Sequence, residues 1–206
     1  MSQYPCVAAA RPLNTALGVK IVGMKNKPLL VLDLDETLVH ATEVPVEFEP
    51  QHEVPPYFLY LRPGLSEFLL QMADLFCLAV WTSSSPAYAR AVCPLVFPES
   101  QRLEFVWASD RCTPTRNFDN DSWCNAKPLN KLKRRGYDLA QVLVVDDSPE
   151  KHTRNYGNLV QVAPFTGDPT DDELAHLAAY LTQLAMLADV RSIEKRQWRR
   201  RLVSSA

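Results

Sequence analysis

The chain has 206 residues, with 22 basic and 24 acidic side chains and a formal net charge of −2. Hydrophobic residues at 47% and charged ones at 22% exclude wholesale disorder, and the length suits one α/β domain with a small appendage. No apolar run reaches the roughly 18 residues that span a bilayer, so no transmembrane helix is expected.

Residues 1–27 lack a clear period and read as an irregular lead-in with one short strand. The apolar start, Cys6 to Ala10, is too short for a secretory h-region. The five cysteines are odd in number and contain no CxxC, which favours reduced thiols and a cytoplasmic protein, with a nuclear one open. Pro28 to Asp33 (PLLVLD) is apolar without alternation, as in a strand buried on both faces. Residues 41–56, rich in Pro and Glu, read as a loop. Tyr57 to Leu61 is a second strand, and Arg62-Pro63-Gly64 leads into a helix ending near Leu75. Phe76 to Trp81 is a buried strand, and Ser85-Pro86 has the cap-then-proline form of a helix start.

A strand at Glu104–Trp107 is followed by a polar stretch to Ala126, expected to hold a hairpin. Pro128 starts another helix, Gln141 to Asp146 is a strand, and Ser148-Pro149 is expected to cap a further helix. After a short strand at Leu159–Val162, Thr170 and Glu173 suggest a capping box before the apolar stripe Leu174, Leu177, Ala178, Leu181 and Leu184. Strands alternating with helices predict an α/β fold with a central parallel sheet covered on both faces. Residues 191–206 hold six basic side chains and one acidic one. They are read as a final helix, the alternative being an electrostatic contact with nucleic acid or an acidic partner.

In such sheets ligands bind outside the carboxyl ends of the strands. There the sequence has Asp33-Leu34-Asp35-Glu36-Thr37, then Trp81-Thr82-Ser83, then Asp146-Asp147-Ser148-Pro149, with Lys127 just before a proline-started helix. Carboxylates gathered at one edge repel each other unless a cation joins them, and hard oxygen ligands suit Mg²⁺. Lysine, hydroxyls and helix-start amides supply what a phosphate needs. A D-x-D-x-T string alone arises by chance in about one chain in forty of this length, so the ordered set of four segments carries the inference. A metal, a phosphate cradle and a spare carboxylate equip a site for phosphoryl transfer.

With DLDETLVH, WTSS, KPL and VVDDSP, the sequence resembles the haloacid-dehalogenase (HAD) superfamily. With LRPGLSEFL and the RCT…KPL…DDSP order, it is similar to the carboxy-terminal-domain phosphatases of the FCP/SCP type. The resemblance covers about residues 28–187, leaving 1–27 as a lead-in and 188–206 as a basic end. It implies a HAD-like Rossmannoid three-layer fold, with no large cap and a small hairpin insertion near 104–126. It further implies a phosphatase in which Asp33 is the nucleophile and Asp35 the general acid and base, while Thr37 orients the nucleophile's loop. Thr82, Ser83 and Lys127 would bind the phosphate. Mg²⁺ would sit on Asp33, Asp35 (through its backbone carbonyl) and the pair Asp146 and Asp147, either of which could be the inner-sphere ligand.

Only about fifty residues separate Asp33 from Thr82, too few for a large helical cap. An open site favours phosphorylated serine or threonine on proteins, and small phosphoesters would enter it too. In the small carboxy-terminal-domain phosphatases an aromatic ten residues after the nucleophile helps hold a substrate proline. That position is Glu43 here. Trp81 and Trp107 are expected in the core, and His40 is read as a structural residue.

Overall fold

The computed structural model describes residues 27–117 and 122–203. The expectations for the lead-in and its strand therefore lie almost wholly outside the described residues. The strands and helices are, in chain order, β1 (Leu29–Leu32), β2 (Val39–Thr42), β3 (His52–Val54), β4 (Tyr57–Leu61), α1 (Leu65–Leu75), β5 (Cys77–Trp81) and α2 (Pro86–Val96). They continue with β6 (Leu103–Trp107), β7 (Thr113–Asn117), β8 (Ser122–Ala126), α3 (Asn130–Lys133), β9 (Val142–Asp146), β10 (Leu159–Gln161), α4 (Glu173–Ala185) and α5 (Trp198–Val203).

Five strands form the parallel sheet, in the order β10-β9-β1-β5-β6. Every residue of β1 is buried because successive side chains feed two separate cores. Leu30 and Leu32 face one core with Leu78, Val80, Leu143 and Val145, and α1, α2 and α4 cover it with residues such as Phe68, Val92 and Leu177. Leu29 and Val31 face the other with Ala79, Trp81, Trp107 and Val144, closed by Leu129 and Leu132 around the four-residue α3. The α/β architecture with a central parallel sheet is as expected, and the buried Trp81 and Trp107 meet edge to face with centroids 4.8 Å apart.

Three local readings are corrected. The stretch 41–56 is not simply a loop, because β2 and β3 flank β4 in a small antiparallel sheet of order β2-β4-β3. Its strands are only three to five residues long, and Pro and Glu between them mask the pattern. Pro149–His152 is a 3₁₀ turn rather than a helix, and the Ser148 side chain caps nothing. The Ser148 amide donates instead to Asp146 Oδ1 at 2.9 Å. Nor does Thr170 form a capping box. Its hydroxyl donates to Asp168, Asp171 Oδ1 accepts the Glu173 amide, and the Glu173 carboxylate accepts from the Ala163 amide. The expected cap at Ser85 is present, its Oγ accepting the Tyr88 amide at 3.2 Å.

The hairpin expected near 104–126 is β7 and β8, paired antiparallel from Thr113↔Ala126. At the other end α5 packs on α4, with Trp198 buried and stacked on Tyr180 at 5.3 Å between centroids. No helix among the described residues is long and apolar enough to cross a membrane.

Candidate active site

The Asp33 amide donates to the Val145 carbonyl, so β1 keeps its pairing one residue beyond its last strand residue. Asp33 therefore emerges between β9 and β5, at the middle of the sheet's carboxyl edge. The chain then folds back: the Leu38 and Val39 amides both donate to the Leu34 carbonyl, and Glu36 takes a left-handed conformation with φ 55°. Thr37 is fully buried, its hydroxyl has no hydrogen-bond partner, and its carbonyl accepts from Arg62 Nη1 at 3.0 Å. Arg62 is itself buried and forks onto Asp171, with Nε to Oδ1 at 2.8 Å and Nη2 to Oδ2 at 2.9 Å.

The two aspartates of the first segment have opposite surroundings. Asp33 is buried and faces cations, with Lys127 Nζ at 2.8 Å and Lys151 Nζ at 3.5 Å from Oδ2. Asp35 lines the open cleft and faces hydroxyls. Tyr88 donates to Oδ1 at 2.5 Å, and Ser84 donates to Oδ2 at 2.6 Å with Thr82 further away at 3.4 Å. Thr82 is held at the end of β5 by its amide, which donates to the Trp107 carbonyl. Ser83 lines the same cleft, and its buried hydroxyl has no hydrogen-bond partner.

Lys127 is completely buried and bridges Asp33 and Asp146, reaching Asp146 Oδ2 at 2.6 Å. Its amide donates to the Lys151 carbonyl, which ties the end of β8 to the 3₁₀ turn. That turn also brings His152 Nε2 to 2.9 Å from Asp146 Oδ2. Burial pushes Asp33 up to about 7; Lys127 opposes the rise and the nearby Asp146 charge adds to it. Burial works in the same direction on Asp146, but Lys127, His152 and Lys151 outweigh it and hold that carboxyl well below its ordinary value. Asp147 is raised by burial and by Asp146. Glu36 is pushed up to about 7 by burial and by the charges of Asp35, Asp147 and Asp33.

Asp33, Asp146 and Asp147 each offer a carboxylate oxygen, and these three oxygens lie within 4.8 Å of one another. Asp147 Oδ1 is buried without a hydrogen-bond partner. A set of hard oxygen donors with an unused buried acceptor fits a divalent cation. The Asp35 carboxylate stands outside this trio, held by its hydroxyl donors.

Thus Asp33, Asp35, Thr82, Ser83, Lys127, Asp146 and Asp147 gather at one sheet edge, while Thr37 is buried within the loop that follows β1. Sequence reasoning missed Lys151, His152, Ser84 and Tyr88. The first two were assigned to a helix, and the tighter 3₁₀ turn sends both toward Asp146. Tyr88 was legible in principle, because the Ser85-Pro86 cap begins α2 at the strand edge and its first turn must overlook the cleft. The cleft encloses about 470 Å³ and is lined also by Ala41 and Tyr57.

Residues 28–191 match the family model described as NLI interacting factor-like phosphatase. The chain is 31% identical over 175 residues to human carboxy-terminal domain RNA polymerase II polypeptide A small phosphatase 1, covering 82% of this chain and 63% of that protein. It is 30% identical over 170 residues to CTD small phosphatase-like protein 2 of Dictyostelium discoideum, covering 79% of this chain and 28% of the relative. The chain thus spans less than two thirds of the length of these curated relatives. In three dimensions it resembles a fission yeast RNA polymerase II CTD phosphatase, Fcp1, solved with beryllium fluoride. The TM-score is 0.61 at 20% identity, covering 77% of this chain and 62% of that one. That likeness concerns the fold, whereas the family match extends over most of the sequence. The chain belongs to the NLI interacting factor-like phosphatase family.

Proposed function

We propose that the protein is a Mg²⁺-dependent phosphatase that hydrolyses phosphoserine or phosphothreonine on proteins through an aspartyl-phosphate. The observation that carries this reading is the contrast within the first segment: Asp33 is buried against lysine, and Asp35 is on the open cleft among hydroxyls. A nucleophile needs neighbouring positive charge to meet a phosphate dianion. A proton donor needs access to the leaving oxygen.

An Asp33 carboxylate oxygen attacks phosphorus, the bond to the ester oxygen breaks, and Asp35 gives that oxygen a proton. Asp35 then takes a proton from water as the water attacks the phosphorus, and the bond to Asp33 breaks to release phosphate. Lys127, Thr82 and Ser83 hold the phosphoryl oxygens, and Thr37 supports the loop. Mg²⁺ would be held by Asp33, Asp146 and Asp147 with the backbone carbonyl of Asp35. When bound it supplies charge that offsets the phosphoryl oxygens. Lys151 adds a second cation near Asp33.

The short β2-β4-β3 sheet leaves the cleft open, which favours a side chain on a protein over a substrate that a lid must enclose. Small phosphoesters fit the same opening. Glu43 is exposed, as are Val44 and Phe48, so recognition of a substrate proline in the manner of the small phosphatases is not part of the proposal. The catalytic unit is taken as residues 28–187, with 188–206 appended. Arg199 pairs with Asp172 and Glu173, Arg196 pairs with Glu194, and Lys195 donates to the Val190 carbonyl. These internal partners favour a structural role for the tail over a nucleic-acid contact. A cytoplasmic or nuclear site of action is in keeping with the unpaired Cys77, Cys93, Cys112 and Cys124.

The test is release of phosphate from p-nitrophenyl phosphate in Mg²⁺. Asp33→Asn is expected to abolish turnover while circular dichroism and melting show a folded protein. Undiminished turnover in that variant would remove the assignment.

A further inference from the structure

A second, smaller pocket lies on the far side of Lys151 from the nucleophile. It encloses about 190 Å³ between the base of the β7–β8 hairpin, α3 and the 3₁₀ turn. Lys131, Arg134, Lys151 and Arg154 line it together with Thr113 and Thr153. Among the described residues neither a carboxylate nor an aromatic ring contributes to its wall. Lys151 is also a wall of the catalytic cleft, so one side chain separates the two spaces.

The cations here are not equally engaged. Lys131 Nζ donates to the Arg111 and Cys112 carbonyls at 2.6 and 3.3 Å, and Lys151 leans toward Asp33 and Asp146. The Arg134 and Arg154 guanidiniums have no partner among the described residues. Two unpaired forks lining one small polar space, with threonines beside them, match a single tetrahedral or carboxylate anion. A polynucleotide would call for a longer basic track with stacking platforms, and no aromatic ring is present in this wall.

We infer that this pocket is a second anion subsite that takes another phosphorylated or acidic side chain of the same peptide whose phosphoserine or phosphothreonine occupies the cleft. The inference rests on the phosphatase reading for the first anchor and narrows the substrate class to peptides with two negative groups.

The test uses phosphoserine peptides in which a second phosphoserine is moved along the flanks. Affinity is read by fluorescence anisotropy on the Asp33→Asn protein, so that bound peptide is not consumed. One flanking position is expected to tighten binding about tenfold at low ionic strength, with the gain shrinking as salt rises. Adding Arg134→Glu and Arg154→Glu should remove that gain, and Arg134→Lys with Arg154→Lys should keep part of it. In the otherwise native protein Arg134→Gln with Arg154→Gln, which removes both forks without adding negative charge beside the cleft, should hydrolyse p-nitrophenyl phosphate with kcat/KM within about twofold of the parent. A gain at no position, or a gain that survives the double Glu variant, overturns the subsite. So does a 5′-phosphorylated oligonucleotide that depends on the two arginines more than the peptide does. Failure of the native protein to hydrolyse p-nitrophenyl phosphate would instead remove the phosphatase reading, and the anisotropy series would still decide whether the pocket binds the second anion.

Discussion

Asp33 and Asp35 are two residues apart and chemically alike, and the fold gives them different neighbours, lysines for the first and hydroxyls for the second. If Asp35 is the proton donor proposed above, Asp35→Asn, which keeps most of the hydrogen-bond geometry, should lower kcat by about 10²–10⁴-fold in steady-state assays. Tyr88→Phe deletes the hydroxyl that donates to Asp35 Oδ1. It should lower kcat by about tenfold, the size of one lost hydrogen bond to a charged group. Asp33 also gives a pH signature in chelator. Its folded-state value is about 7 against an ordinary 3.8, so the folded protein holds a proton that the unfolded chain releases. Its contribution must therefore fall as pH rises from 3.8 to about 7, then level off. Denaturant titrations across that range should show this decline relative to Asp33→Asn, and parallel curves for the two proteins would contradict it.

The elements were legible where they were long or apolar on all sides. PLLVLD, FCLAVW and QVLVVD had no polar alternation because both faces of β1, β5 and β9 are covered, and that pattern located the sheet's carboxyl edge and with it most of the site. The 3₁₀ turn at Pro149–His152 was not legible, since Ser-Pro starts either kind of helix and only tertiary packing on Asp146 and Lys127 chooses between them. Nor could the sequence reveal that Arg62 spans the molecule. Its guanidinium joins the loop after β1, through the Thr37 carbonyl, to the approach to α4, through Asp171 and the Ala163 carbonyl. Arg62→Met leaves Asp171 without its ion-pair partner and frees the Thr37 and Ala163 carbonyls, and should cost about 3–5 kcal/mol in denaturant unfolding. The same logic applies to α5. Trp198 is buried on Tyr180 and donates Nε1–H to the Gln161 carbonyl at 2.6 Å, so Trp198→Ala should cost about 3–5 kcal/mol.

The near-neutral net charge of the whole chain conceals how that charge is distributed. Carboxylates concentrate at the carboxyl edge of the parallel sheet, four cations surround the neighbouring pocket, and the basic end is partly neutralised by Glu194, Asp172 and Glu173. Three of the motif segments, far apart in sequence, meet because the parallel order β9-β1-β5 stacks their strand ends, and Lys127 joins them from the end of β8 through the hydrogen bond its amide donates to the Lys151 carbonyl. The second pocket was not legible in the sequence, because hairpin, α3 and turn contribute ordinary surface residues with no motif of their own. The measurement closest to the central claim is the covalent state of Asp33 during turnover. Asp35→Asn protein mixed with p-nitrophenyl phosphate and Mg²⁺, quenched in acid and mapped by peptide mass spectrometry, should carry one phosphoryl group on Asp33. An unmodified Asp33 under conditions where the variant releases p-nitrophenol, or a phosphoryl group found on another residue, would contradict the account.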